Sequence, residues 1–264
     1  MPSLASEMAG WLRQQVHAAG SRGIVVGLSG GIDSAVVARV AQLAVPGGVM
    51  TVIMPAHSDP RDARDAKLVA DAFKLPVMTV DLSGPYDAML ERVMAAAAEL
   101  PPAAGSATGE AEGLTAAQLK PRMLAAVNIK PRLRMTTLYA IANRLNYIVA
   151  GTGNKSEIAI GYYTKYGDGG VDVLPLGSLV KSEVRALARE LGVPMPIIEK
   201  APSAGLWLGQ TDEGEMGFTY ADLERYLREG PGALAPALVM KIERLARASE
   251  HKRNLPPVFE RGAR

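Results

Sequence analysis

Ile24-Val25-Val26 opens directly onto GLSGGIDSA (27–35), a stretch with three glycines, two serines and one aspartate. A short β-branched run of this kind reads as a fully buried strand, and the glycines end it without offering a side chain to pack. A helix from Ala35 to Ala44 follows, stopped by Pro46-Gly47-Gly48. The unit then recurs. Residues 49–54 (VMTVIM) give a second buried strand and 63–75 a second helix; 76–82 (PVMTVDL) give a third strand and 86–100 a third helix. Strands this apolar, alternating with helices, belong in a parallel sheet covered on both faces. Residues 146–151 (NYIVAG) add a fourth strand and 171–177 (VDVLPLG) a short fifth. The expected fold is therefore α/β, a doubly wound, mostly parallel five-stranded sheet with helices on both faces.

The remaining segments fill in around that sheet. Leu4, Met8, Trp11, Leu12 and Val16 recur at helical steps before the first strand. A long helix over 116–145, with Pro121 and Pro131 as candidate interruptions, precedes the fourth strand. Helices over 180–191, 220–229 and 234–249 close the chain. Residues 1–264 read as a single domain, with the Pro-, Ala- and Gly-rich stretch 101–114 as a mobile loop.

A glycine loop between a buried strand and a helix is a phosphate-binding arrangement, because backbone N–H groups and the positive helix end both face the ligand. Gly30 and Gly31 permit close approach, and Ser29 and Ser34 offer hydroxyls. Asp33 cannot hold phosphate but suits a magnesium ion riding on it. The plainer alternative is a strand–turn–helix with Asp33 as N-cap. The stretch lacks the Gly-Lys-Ser/Thr ending of a Walker A loop and is not GxGxxG. Taken whole, SGGIDS resembles the pyrophosphate loop of the ATP pyrophosphatases, which cleave ATP to AMP and pyrophosphate. That resemblance implies an adenine nucleotide alpha-hydrolase-like fold.

Ligands of open α/β sheets bind at the carboxyl ends of the strands, so the segment after the fourth strand belongs beside this loop. There GTGNKSE (151–157) offers the Thr152 hydroxyl and the Glu157 carboxylate. Glu157 is either a second magnesium ligand or a first-turn charge complementing a helix dipole. Lys165, Asp168 and Asp172 flank the tight turn TKYGDGG, whose alternative is a solvated hairpin. Lys181 either meets negative charge developing on phosphate or is a surface lysine. NIKPRLRM (128–135) groups Lys130, Arg132 and Arg134. One of these holds an anionic substrate, or the group is a basic helix face, as Arg134 is expected to be.

Composition removes other classes. A net charge of +2 and basic patches without interleaved aromatics give no case for nucleic acid. Without cysteine there is no disulfide, thiolate metal site or cysteine nucleophile, which fits a cytoplasmic protein. Three histidines, at 17, 57 and 251, do not make a histidine-rich metal site. No apolar run approaches membrane-spanning length, and Glu7 in a helical N-terminus argues against a signal peptide.

GLSGGIDSA, NIKPRLRM, GTGNKSE, TKYGDGG with the following VDVLPLGSLVKSEV, PSAGLWLGQTDEGEMGFTY (202–220) and HKRNLPP (251–257) together resemble ammonia-dependent NAD⁺ synthetase. The resemblance implies that Gly27, Leu28, Ser29, Gly30, Gly31, Ile32, Asp33 and Ser34 bind ATP, with Thr152, Lys181 and Ser203 as further contacts. It implies magnesium, two ions, on Asp33 and Glu157, and a catalytic part for Asp33 and Lys181. Arg132, Lys165, Asp172, His251 and Lys252 would bind deamido-NAD⁺, and the protein would be a homodimer. Pro131 stands where many members have alanine, which puts the placement of Arg132 in doubt.

The implied reaction joins the nicotinate carboxylate of deamido-NAD⁺ to AMP, releasing pyrophosphate, and then exchanges AMP for ammonia. Glutamine-using members carry an added amidase domain with a catalytic cysteine; this chain has neither, so ammonia is the expected nitrogen source. Residues 201–218 are either a lid over the adenylate or an ordinary surface loop. The rival functions are another ATP-pyrophosphatase-type amide ligase and a non-catalytic adenine-nucleotide sensor.

Overall fold

The structure, a computed structural model, describes residues 3–99, 124–203 and 211–261. Helix α1 (Leu4–Ala18) leads into β1 (Gly23–Gly27), α2 (Ile32–Ala44), β2 (Val49–Ile53), α3 (Pro60–Phe73), β3 (Val77–Thr79) and α4 (Ser83–Ala98). After residues 100–123 come α5 (Ile129–Leu145), β4 (Tyr147–Ala150) and α6 (Lys155–Ile160). The chain ends in α7 (Lys181–Glu190), α8 (Met195–Glu199), α9 (Asp212–Met216), α10 (Tyr220–Glu229), α11 (Pro236–Ala248) and α12 (Glu250–Arg253).

The sheet is parallel throughout, in the order β3-β2-β1-β4. Its inner strands are apolar on both faces because both are covered. Ile24 and Val26 of β1 pack with Leu12, Val36, Val40, Leu187 and Ile197 from α1, α2, α7 and α8. Val25 faces the other way, into a smaller cluster with Val52, Val149, Leu82 and Ala142. A third cluster, built on Ile160, Phe218, Leu223 and Ile242, attaches the C-terminal helices to α6.

The expected fifth strand is reduced to one bridge, Ala150 to Val173. The cause is Asp172. Its Oδ2 accepts the Val149 N–H at 2.7 Å while its own N–H donates to the Val149 carbonyl, so a side chain takes the place that a strand backbone would occupy. Its Oδ1 accepts the Tyr139 hydroxyl at 2.9 Å. The long helix expected over 116–145 is broken at Asn128, between a helical turn over 124–127 and α5. Pro131 therefore falls in the first turn of α5, where its missing N–H has no intrahelical partner to lose. Pro121 and the expected loop over 101–114 lie outside the described residues.

Replacing Asp172 with alanine leaves the Val149 N–H without this acceptor. We expect the unfolding free energy to drop by about 1 kcal/mol, measured by urea denaturation.

Candidate active site

The chain moves outward from β1 to β2 to β3 and then returns to place β4 on the other side of β1. At such a switch point the loops leaving two adjacent strands diverge and open a crevice. A cavity of about 580 Å³ lies there, lined by the loop after β1, the segment after β4, and residues of α5 and α7.

The glycine loop is held by its own serines. The Ser29 N–H donates to Ser34 Oγ at 3.2 Å, the Gly31 N–H to Ser29 Oγ at 3.2 Å, and Ser34 Oγ to the Gly31 carbonyl at 2.9 Å. Gly30 does not line the cavity. It has φ +80°, and a Cβ there would meet the Asp62 carbonyl at 2.4 Å. Its part is to let the loop press against the first turn of α3. The N-cap of α2 is Gly31, not Asp33. Asp33 sits one residue inside the helix, and its carboxylate is free to face across the crevice.

Across the crevice, Asn154 and Glu157 form a capping box at the start of α6. Asn154 also donates its side-chain amide to Asp33 Oδ1 at 3.0 Å, so one residue orients both carboxylates. Lys181, the first residue of α7, is buried and donates to Asp33 Oδ2 at 2.5 Å and to Glu157 Oε1 at 3.3 Å. It is no surface lysine. Glu157 is the first-turn charge of α6, with Oε2 accepting the Asn154 N–H, and its Oε1 accepts the lysine. Burial and the neighbouring Asp33 push the Glu157 carboxyl up to about 7, despite Lys181. Burial works against the charge on Lys181, but the two carboxylates outweigh it and hold the ammonium above the usual lysine range.

Among the described residues there is no cluster of three or more His, Cys, Asp or Glu that could enclose a metal. Two carboxylates oriented by one asparagine and balanced by one ammonium still fit magnesium, which takes few protein ligands and completes its shell with phosphate and water oxygens.

Of the residues expected to touch a ligand, Gly27, Leu28, Ser29, Gly31, Ile32, Asp33, Ser34, Thr152, Glu157, Lys181 and Ser203 line this cavity. So do Arg132, Lys165, His251 and Lys252. Gly30 and Asp172 do not, the first because it backs onto α3 and the second because it braces the sheet edge. Lys165 donates to the His251 carbonyl and lies 5.2 Å over the Tyr166 ring. Lys252 donates to the carbonyls of Gly161 at 2.7 Å and Tyr163 at 2.6 Å, and its burial lowers its basicity. The TKYGDGG turn exposes Tyr166, Asp168 and Gly169 but is tied to the cavity wall. Asp168 accepts the Thr164 N–H at 2.9 Å, and the Thr164 hydroxyl donates to Asn128.

Arg134 is not part of an exposed basic face. It lines the cavity, and its guanidinium donates to the Met54 carbonyl at 3.1 Å and to Ser58 Oγ at 3.0 Å. Lys130 is buried over the Tyr86 ring. Arg132 alone of the three is exposed. Asp212 was not singled out from the sequence. It is 4% exposed, lines the cavity and accepts the Tyr220 hydroxyl at 2.9 Å. Residues 212–216 of the expected lid form the short α9, and 204–210, with Trp207, lie outside the described residues.

The family model for NAD synthase matches residues 4–256. The chain belongs to that family. Among NAD synthases, it is 48% identical over 252 residues to the NH(3)-dependent NAD(+) synthetase of Carboxydothermus hydrogenoformans, covering 96% of this chain and 95% of that one. Solved structures share the fold. NMN synthetase from Francisella tularensis matches with a TM-score of 0.83 at 34% identity, covering 97% of each chain. NH3-dependent NAD synthetase from Campylobacter jejuni, solved with a nitrate ion, matches with a TM-score of 0.72 at 28% identity, again over 97% of each chain.

The raised Glu157 carboxyl has a consequence for stability in this NAD synthase. The folded state holds its proton more tightly than the unfolded chain, so stability from this group is full below pH 4.5 and is lost as pH rises towards 7. Above pH 7 both carboxylates are charged against one ammonium. Glu157→Gln removes the surplus charge and keeps an oxygen for the cap. We expect the variant to unfold with a free energy on the order of 1–3 kcal/mol higher than wild type at pH 8, the gap closing towards pH 5. Denaturant midpoints across that range measure it.

Proposed function

We propose that this cavity amidates deamido-NAD⁺ to NAD⁺ with ammonia, consuming ATP and releasing AMP and pyrophosphate. The observation that carries the reading is the convergence of Asp33 and Glu157 on the Lys181 ammonium beside the glycine loop. It occurs in a chain 48% identical to an NH(3)-dependent NAD(+) synthetase.

A carboxylate is a poor electrophile, so the nicotinate carboxylate must first become a good one. Its oxygen attacks the α-phosphorus of ATP; a new O–P bond forms and the bond to pyrophosphate breaks. Ammonia then attacks the acyl carbon, a C–N bond forms, the C–O bond to AMP breaks, and the surplus proton leaves. Neither step needs a covalent enzyme intermediate, in keeping with a chain without cysteine. The chain's task is positioning and charge. First-turn N–H groups of α2 and the hydroxyls of Ser29, Ser34, Thr152 and Ser203 bind ATP. Lys181 meets the charge growing on the transferred phosphate. Arg132, Lys165, His251 and Lys252 bind the dinucleotide.

Asp33 and Glu157 would hold magnesium, two ions in all, which when bound neutralises phosphate charge. The protein acts in the cytoplasm as a homodimer. Supporting the dimer, Met89, Val93 and Met94 expose apolar side chains along α4, and Val77 and Met78 do so on the edge strand. No helix among the described residues is long and apolar enough to cross a membrane.

The likeness to an NMN synthetase favours a second reading, in which the amidated carboxylate belongs to a mononucleotide. One experiment separates them. The protein is incubated with Mg²⁺, ATP and an ammonium salt, and with either deamido-NAD⁺ or nicotinate mononucleotide. The first reading requires NAD⁺, AMP and pyrophosphate in equal amounts with the dinucleotide, and no amide when glutamine replaces ammonium. Faster turnover of the mononucleotide would select the second reading. ADP as product would overturn both, and bound but uncleaved ATP would make the protein a sensor.

A further inference from the structure

Lys200 stands in the cavity wall, on the segment that follows α8. Its ammonium donates to Asp62 Oδ1 at 2.9 Å and to Asp65 Oδ2 at 2.6 Å, both on the first turns of α3. The same turn carries the surface that Gly30 touches: a Cβ on Gly30 would lie 2.4 Å from the Asp62 carbonyl and 2.9 Å from Asp65 Cβ. Ile197 and Ile198 of α8 are buried in the main core. From there the chain runs on to Pro202, whose carbonyl accepts the Asp212 N–H at 3.1 Å, and to Ser203 in the cavity wall. One ammonium thus ties together the turn that supports the glycine loop and the segment that carries Ser203.

We propose that Lys200 is a positioning residue for the polyphosphate of ATP. Paired with Asp62 and Asp65, it sets the spacing between the glycine loop and Ser203, the two walls between which the phosphates lie. The triad's charge argues against direct contact. Two carboxylates on one ammonium leave a surplus negative charge, which repels a polyanion, and both aspartates draw the lysine proton donors towards α3. Lys200 acts through the loop that it holds. About 1 Å of misplacement at a reacting centre costs up to 10²-fold in rate, so a clamp at this distance has a kinetic signature.

This inference rests on ATP lying along the glycine loop. Wild-type product analysis tests that reading, whereas the clamp is tested by comparing variants that all turn over. Lys200→Met, Lys200→Arg, Asp65→Asn and the double variant Lys200→Met with Asp65→Asn are assayed for KM of ATP, KM of deamido-NAD⁺ and kcat. Thermal midpoints are read beside them. We expect Lys200→Met and Asp65→Asn each to raise the KM of ATP about tenfold while the KM of deamido-NAD⁺ is unchanged. The double variant should be no worse than Lys200→Met, and Lys200→Arg should recover most of the loss.

Opposite signs overturn it. If Asp65→Asn lowers the KM of ATP, the aspartate was restraining a lysine that itself binds phosphate. If the two single effects multiply in the double variant, the residues do not act as one clamp. If both KM values and the thermal midpoint move together, the triad is only structural.

Discussion

One buried ammonium organises the site. Lys181 is the first residue of α7, Asp33 the second of α2 and Glu157 the third of α6. Each helix start carries partial positive charge, which favours the two carboxylates where they are and disfavours a lysine. Lys181 is held there by the carboxylates, and they in turn are spared direct repulsion by the lysine. Swapping such a group for apolar residues would often stabilise a protein, because desolvating ions costs about as much as their attraction returns. A cluster of this kind is therefore poor evidence for stability and good evidence for a task that needs fixed charge in a dry cleft.

The sheet makes that convergence possible. β1 and β4 are neighbours although most of the chain's length between them lies elsewhere, and their parallel register brings Val26 level with Ala150. The loops that follow must then leave side by side, and the cavity is the space between them. Glycine is required where these loops crowd: Gly151 has Val171 and Leu174 side chains within 3 Å of where a Cβ would sit. The missing fifth strand belongs to the same design. Asp172 ends the sheet with a carboxylate, so the chain from 174 onward is free to turn across the crevice and deliver Lys181.

What the sequence disclosed follows from how local each signal is. β1 and β2 were legible because strands covered on both faces need unbroken apolar runs. α10 was legible to the residue because Thr219 and Asp222 cap its start and Gly230 ends it. The Asn154–Glu157 capping box is also a local pattern, and it marks the one residue that orients both carboxylates. The place of Asp172 at the sheet edge was not legible, because a carboxylate that accepts a backbone N–H looks, in sequence, like any loop aspartate. Arg134 misled for a different reason. Its arginine-x-arginine spacing puts it nearly opposite Arg132 on a helix, so one faces solvent and the other the end of β2, and only the fold says which. Asp212 leaves no local trace, since its burial depends on α10 and the segment around Tyr162 closing over it.

The distribution of charge explains why a polyanion can enter a cleft with so many acids. Asp33, Glu157 and Asp62 are each matched to a lysine before any ligand arrives, and Asp168 to backbone N–H. The cations are equally committed: Arg134 and Lys252 to carbonyls, and Lys181 and Lys200 to carboxylates. A ligand therefore meets groups that are already oriented and already stripped of much of their water, and reorganisation during the reaction is small. Lys181 is the exception in kind. Any divalent cation that took up Asp33 and Glu157 would remove the two charges that hold its ammonium, and so release it towards phosphate. In that exchange the same lysine first replaces the missing positive charge and then adds to it, which gives the buried cluster a use that a neutral, better-packed core would lack.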